Sequence, residues 1–395
     1  MDRKIKIAIV VSHPIQHFCP QYVSFAKHKL VEIKVFFASA LGFKPYHDQQ
    51  FNQTVSWNRL GLEHFPHEFL NGDEIIQPSA NLDAPSLENS LDAYRPEVVI
   101  IYGYYQKMQR RALAWAKRSH KVVAYISDTE TKQKRNAIKE WIKFPIVRNF
   151  FKKIDFALTV GDSNEEYYRR MRLSPTQLIR MHFPIDIELY KKSYAVRHDL
   201  RAQIRSEYGI ENSEFVASVV GKLVPWKNQQ DIIGAMQLLE QKGVHMTLFV
   251  VGSGETLQRC QELARDLVKS KVHFTGFVDA EKLPAYYAAS DVYIHPAAVE
   301  PHSLAISESI YMGCPVIVSD TCGSYGPTDD VQSGRNGFVF PFGNIGMLAR
   351  YIEQLIHNKD ERTIFGRNSH LIAVNHQQQS HLNVMDDLVR ALKNV

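Results

Sequence analysis

Cysteine is scarce in this chain: 395 residues hold four, at positions 19, 260, 314 and 322, and no Cys-x-x-Cys pair. That excludes a disulfide framework and a cysteine zinc site, and it points to free thiols in a reducing, cytoplasmic compartment. No window holds about 18 uninterrupted apolar residues, so no membrane-spanning helix is expected. The apolar run Ile5 to Val11 follows basic residues but stops at Ser12-His13-Pro14 without a small-residue cleavage site, and so reads as a buried first strand, not a signal peptide. Asp-x-Asp and His-Glu-x-x-His motifs are absent, and the 17 histidines lack ligand spacing, so no metal is expected.

Charge is plentiful but uneven. The net +5 divides into 30 Lys+Arg against 21 Asp+Glu over residues 1–200, and 17 against 21 over 201–395. Halves of opposite sign suggest two domains with different partners, the first partner anionic. By charge alone, nucleic acid and an acidic lipid surface both qualify. A composition of 45% hydrophobic and 23% charged residues is that of a globular protein, and the length suits two domains.

Apolar β-rich runs alternate with helical patterns. In the first half the runs are Ile5 to Val11, Glu32 to Phe37, Val98 to Tyr102, Val122 to Ile126 and Phe156 to Val160, with a helix from Gln106 to Arg118. In the second they are Phe215 to Val220, Met246 to Val251, Val272 to Phe274, Val292 to His295, Val316 to Ser319 and Phe338 to Phe340. Helices are expected over Lys227–Gln241, Glu255–Lys269, Ala280–Ala289, Leu304–Met312 and Ile345–His357. The pattern predicts an α/β protein of two Rossmann-like, doubly wound domains facing each other across a cleft. Boundaries are expected at 1–195 and 196–370, with a helical segment 371–395 returning toward the first domain. Residues 40–96 read as long loops, and Tyr190 to Ser213 as a linker without a strand.

Two helix starts carry the chemistry. Gly221-Lys222-Leu223-Val224-Pro225-Trp226-Lys227 lets the backbone turn at a strand end and sets two cations near a helix N-terminus, a setting for a phosphate-like anion or simply a solvated turn. After the strand Val292 to His295 comes Glu300, then Ser303 and Leu304, expected to open a helix with free N–H groups, and Glu308 about one turn inside it. Apolar sequence around Glu308 implies that its carboxylate is buried, which an idle surface residue would not be.

These residues resemble the retaining glycosyltransferases of family 4, which have the two-domain GT-B fold. The likeness lies in Gly221-Lys222-Leu223 with Lys227, in Val251-Gly252-Ser253-Gly254, in Phe274-Thr275-Gly276-Phe277-Val278, and above all in Glu300 and Glu308 with seven residues between them. It continues through Gly313-Cys314-Pro315-Val316-Ile317-Val318-Ser319-Asp320 and Asn336-Gly337-Phe338-Val339-Phe340-Pro341. The first half matches only in outline, with Pro184-Ile185-Asp186 resembling the segment before the linker. The resemblance implies that Lys222, Lys227, Gly221 and Gly252 border a donor diphosphate, and that Ser303 and Leu304 contact it through backbone amides. Glu308 would bind the ribose, Phe277 and Val278 would border the base, and Glu300 would hold the transferred sugar. It implies no cofactor; the donor is a nucleotide diphosphate sugar, UDP favoured over GDP, and the acceptor a carbohydrate or lipid-linked molecule of surface polysaccharide synthesis. Nucleic acid is not among the partners so implied.

Departures from the family fall mostly in the first half. Lys222 stands where arginine is usual, keeping the charge but losing the bidentate fork. Ser12-His13-Pro14-Ile15-Gln16-His17 replaces a Gly-rich loop, which makes His13 and His17 candidates for the acceptor side. Ser127 or Asp128 occupies the place of a family histidine; Asp128 is the candidate, grouped with Glu300 and Lys227 as catalytic, for a polar contact to donor sugar or acceptor, or else it caps the next helix. Gly252-Ser253-Gly254 lacks the third glycine of a dinucleotide fingerprint, Leu257 standing there. A nucleotide-sugar 2-epimerase of the same fold and an inactive nucleotide-sugar-binding protein stay open beside the transferase. Finally, residues 132–153 hold eight basic residues, one acidic, and Trp141, Phe144, Phe150 and Phe151. They read either as a peripheral contact with an anionic inner membrane face or as a solvated helix whose aromatics pack inward, with Pro145 breaking or kinking it.

Overall fold

Runs of Val, Ile and Phe too continuous for a one-sided strand form strands covered on both faces. In the computed structural model, which describes residues 3–48, 53–55, 57, 59–133 and 137–393, they build two parallel sheets. The first contains β1 (Ile5–Val11), β2 (Val31–Phe37), β5 (His67–Phe69), β6 (Val98–Tyr102), β7 (Val122–Ile126), β8 (Phe156–Thr159) and β9 (Leu178–Arg180), in the order β5-β2-β1-β6-β7-β8-β9. A hairpin of β3 (Tyr46–Asp48) and β4 (Gln53–Val55) stands apart. The second contains β10 (Val216–Val220), β11 (Thr247–Val251), β12 (Lys271–Gly276), β13 (Val292–His295), β14 (Val316–Ser319) and β15 (Gly337–Phe340), in the order β12-β11-β10-β13-β14-β15. In both sheets the order reverses beside the first strand, β1 or β10, and carboxyl ends at such a switch point form a ligand crevice.

Several expectations need correction. Residues 40–96 are not all loop: they hold the hairpin, β5 and the helix Leu87–Tyr94. β5 and β9 are three-residue edge strands, only half-buried in large part, so neither shows as an apolar run. The linker region is two helices, Ile187–Ala195 and Arg197–Glu207. Asp186 caps the first by accepting the Leu189 N–H. The polar sequence of the second hides a buried arginine: Arg205 is 1% exposed and bonds the carbonyls of Ala289, Glu211 and Glu214 and the carboxylate of Asp291. The helix expected from Lys227 begins at Gln230, after a 3-10 turn over Pro225–Lys227. Pro145 does not break the helix it lies in, which continues from Ala137 to Phe151.

The chain closes by crossing back. Helix Lys359–Gln378 leads through a π turn into Val384–Leu392, whose Val384, Met385, Leu388 and Val389 join the first-sheet core with Tyr22, Phe25 and Met181. Buried polar groups hold the crossing: Gln377 accepts the Ile185 N–H and donates to the Phe183 carbonyl, and Gln21 donates to Ser380. All four cysteines are unpaired and buried. Among the described residues no helix is long and apolar enough to cross a membrane.

Candidate active site

β10 and β11 end in glycines because their loops cross almost in contact. A Cβ on Gly252 would stand 2.0 Å from the Gly221 carbonyl oxygen, and Gly252 has φ +135°. The crossing is fixed by Gly221 N–H donating to Val251 O and Leu223 N–H to Ser253 O, both at 2.9 Å. The chain then turns through Pro225–Lys227, and Asn228 in the left-handed region (φ 55°) aims it into the helix Gln230–Gln241. Lys222 and Lys227 ride on this loop. Beyond β12, Phe277 is partly exposed while Val278 packs with Phe249, Val251 and Tyr286.

A hydrogen bond from Ala298 N–H to the Trp226 carbonyl, 2.7 Å, ties that loop to the one after β13. It brings Lys227 to Glu300, and the two form an ion pair. The same Glu300 Oε2 lies 3.0 Å from His295 Nε2, and His295 Nδ1 lies 3.2 Å from the Tyr293 hydroxyl. Burial pushes the Glu300 carboxyl up, but the His295 hydrogen bond and the Lys227 charge outweigh it and hold the pKa at about 2. Glu300 is therefore ionised across the working range.

Ser303 precedes the helix Leu304–Tyr311 without a side-chain capping bond, and its N–H is not free as expected: it donates to Ser324 Oγ at 2.8 Å. The loop after β14 supplies that acceptor, which single-chain spacing does not reveal. Glu308 is buried as expected and accepts from the Tyr287 hydroxyl at 2.9 Å. Burial raises its pKa to about 7, with tyrosine hydroxyls opposing. Glu308 and Leu304 share a cavity of about 240 Å³ with Gln16, His17, Arg59 and Asp186, so groups of both domains line it. Arg59 pairs with Asp186 at 2.7 Å.

From the first domain, His13 bonds Ser12 Oγ and stacks on Trp57, while His17 lies against Phe18 and Phe183. Burial lowers the pKa of His13 to about 4 and that of His17 to about 3, the latter also through nearby His302 and His13. Both are neutral imidazoles. Asp128 lies within the field of His302 and Glu300 in the cleft, where desolvation raises its pKa. The following helix starts at Ala137, too far along the chain for Asp128 to cap.

Sequence reasoning missed His295, His302 and Asp330. Asp330 meets His302 Nε2 at 3.2 Å, His376 Nδ1 at 2.9 Å and Ser307 Oγ at 2.6 Å. His302 stands between Glu300 and Glu308, but its partner lies on another loop, and a lone histidine at a strand end, like His295, reads as core. Among the described residues no His, Cys, Asp and Glu side chains converge into a group that could hold a metal ion.

Residues 201–371 match the family model described as glycosyl transferases group 1. An uncharacterized glycosyltransferase of Methanocaldococcus jannaschii is 26% identical over 238 residues, 60% of this chain and 58% of that protein. A GDP-mannose-dependent alpha-(1-6)-phosphatidylinositol monomannoside mannosyltransferase of Mycobacterium tuberculosis is also 26% identical over 238 residues, 57% of this chain and 60% of that one. The chain thus spans about six tenths of these curated relatives. In fold it is similar to Anabaena HepE in complex with UDP and glucose, with TM-score 0.68 and 17% identity, covering 99% of this chain and all of that one. Residues 201–371 are thus similar to the group 1 glycosyl transferases, and the two parallel-sheet domains together have the GT-B fold.

Proposed function

We propose that the protein moves a sugar from a nucleotide diphosphate sugar to a carbohydrate or lipid-linked acceptor of surface polysaccharide synthesis, with retained anomeric configuration and no divalent metal. The observation that carries this is the Lys227–Glu300 ion pair, set where the β10 and β13 loops meet in the cleft and backed by the family match. Breaking the anomeric C–O bond leaves a nucleoside diphosphate. Lys222, Lys227 and the first amides of the helix beginning at Leu304 oppose its growing charge in a partly water-excluded site. Glu308 takes the ribose, Phe277 and Val278 border the base, and Gly221 and Gly252 let the backbone approach. Glu300 holds hydroxyls of the transferred sugar. Asp128, with His13 and His17, faces the acceptor side.

UDP is the proposed nucleotide; HepE binds UDP with glucose, whereas the mycobacterial relative is named for GDP-mannose. That relative is also named for phosphatidylinositol monomannoside, which supports the lipid-linked alternative here. The test is incubation with UDP- and GDP-sugars, with and without short saccharide and polyprenyl-linked acceptors, in excess EDTA. Transfer with retention, read by nuclear magnetic resonance, is expected. Loss in EDTA with rescue by magnesium or manganese contradicts the metal-free mechanism, and epimerised donor without acceptor points to an isomerase.

A further inference from the structure

β13 is buried along its whole length, a place where an imidazole is costlier than leucine unless both ring nitrogens are satisfied. In His295 both are: Nε2 meets Glu300 at 3.0 Å and Nδ1 meets the Tyr293 hydroxyl at 3.2 Å. The tautomer follows from the partners. An ionised carboxylate only accepts, so Nε2 carries the hydrogen; Nδ1 then accepts from Tyr293, whose ring is wholly buried. The side chains of Lys227, Glu300 and His295 are 22%, 12% and 3% exposed, so the contacts run from the cleft wall into the core. At its inner end Tyr293 also lies 3.4 Å from the Val220 carbonyl, just before the turn that carries Lys222 and Lys227.

We propose that His295, oriented by Tyr293, is the positioning residue of Glu300: it keeps that carboxylate fixed when Lys227 turns from Glu300 to the donor diphosphate. The inference rests on the proposed sugar transfer and deepens it. One glutamate oxygen serves two donors, an ammonium and an imidazole. If Lys227 were its only support, donor binding would strip Glu300 at the moment when it must meet the sugar. A neutral imidazole cannot leave for the diphosphate, since it is locked in the strand and carries no charge to draw it there. Burial lowers the pKa of His295, which favours that neutral form. No proton is transferred in this role.

The variants are His295→Phe, which removes both nitrogens, His295→Gln, whose amide N–H stands near the place of Nε2, and Tyr293→Phe. With UDP and UDP-glucose as probes, His295→Phe should change UDP affinity less than twofold but lower turnover at least tenfold, and His295→Gln should recover much of it. Tyr293→Phe should fall between. Equal loss of UDP affinity and turnover in His295→Phe, or no recovery in His295→Gln, overturns the proposal. A readout without donor separates this from failure of the transferase reading: carbon-13 resonances of labelled glutamate, with Glu300 assigned by Glu300→Gln. The Glu300 carboxyl should titrate at higher pH in His295→Phe than in the parent protein, because a donor to its charged form is gone. An unchanged midpoint refutes the positioning role whatever the protein turns over.

Discussion

Glu308 sits in a helix start surrounded by apolar side chains and tyrosine hydroxyls, so its proton is held more tightly than in water. Its pKa is raised from 4.5 to about 7, chiefly by burial. A ribose diol donates hydrogen bonds and prefers the ionised carboxylate, so nucleotide binding should expel a proton below pH 7. Affinity should rise about tenfold per pH unit up to that point and level off above it. The same shift acts on stability with a definite sign: the native state holds a proton that the unfolded chain releases. The ligand-free fold therefore loses stability as pH rises from about 4.5 through about 7, and Glu308→Gln should remove that slope. Calorimetry of UDP binding at pH 5.5 and 8 checks the first expectation; equal affinities would take the carboxylate away from the ribose. At Lys222 the prediction is simpler. Lys222→Ala should weaken UDP binding by about 1.5–3 kcal/mol, the worth of a charge-assisted contact, while Lys222→Arg should keep it. Both residues were legible in sequence because each lies in a motif. His295 and Asp330 were not, because the groups that give them meaning come from other loops.

Among the elements, the helix Ala137–Phe151 divides the two readings of the basic, aromatic segment. Phe151 and Val147 are buried against Tyr125 and Tyr168, as in the solvated-helix reading. Trp141 and Ile146, by contrast, are 79% and 70% exposed, and Phe144 is exposed beside Lys143. Lys134, Arg135 and Asn136 lie outside the described residues. We propose that the exposed end is the peripheral membrane contact, its apolar rings entering an anionic leaflet while the cations meet headgroups. Each cation adds about 1 kcal/mol near such a surface. Lys132 is already engaged, its Nζ donating to the Tyr325 carbonyl at 2.6 Å, so Trp141→Ala with Lys134, Arg135 and Lys139 changed to Gln should abolish co-sedimentation with phosphatidylserine vesicles. Equal binding of the parent protein to neutral vesicles would contradict it. Element boundaries show what periodicity reads well: β6, β7, β13 and β14 match their apolar runs because buried central strands are mostly apolar, with His295 and Ser319 standing only at the ends of β13 and β14. β5, β9 and the two helices at 187–207 escaped because short edge strands and a buried, carbonyl-bonded Arg205 look polar.

The whole molecule is held across its cleft by buried polar groups as well as by the returning helix. Asp330 carries His302 and His376, and His376 stacks on His182 of the first domain with ring centres 3.6 Å apart. Burial pushes the Asp330 carboxyl up, yet the two imidazoles bring it well below the usual carboxylate range. Its stabilising contribution is thus in place above the ordinary value of 3.8 and lost on further acidification. Asp330→Ala leaves the buried His302 and His376 ring nitrogens without their carboxylate partner and should cost about 3 kcal/mol, read as a lower urea midpoint near neutral pH. The two-sheet plan was legible from alternation alone, whereas this tie was not, since His182, His302, Asp330 and His376 are scattered along the chain and meet only in the fold. The central claim is that the cleft binds a nucleotide sugar at the Lys227–Glu300 pair. Its most direct test is thermal unfolding of the parent protein and Lys227→Ala with UDP-glucose, UDP-N-acetylglucosamine and GDP-mannose, since a ligand at 100 times its Kd stabilises by about 2.7 kcal/mol. At least one donor should raise the midpoint of the parent and do so markedly less in Lys227→Ala; no shift with any donor, or the same shift in both proteins, would contradict it.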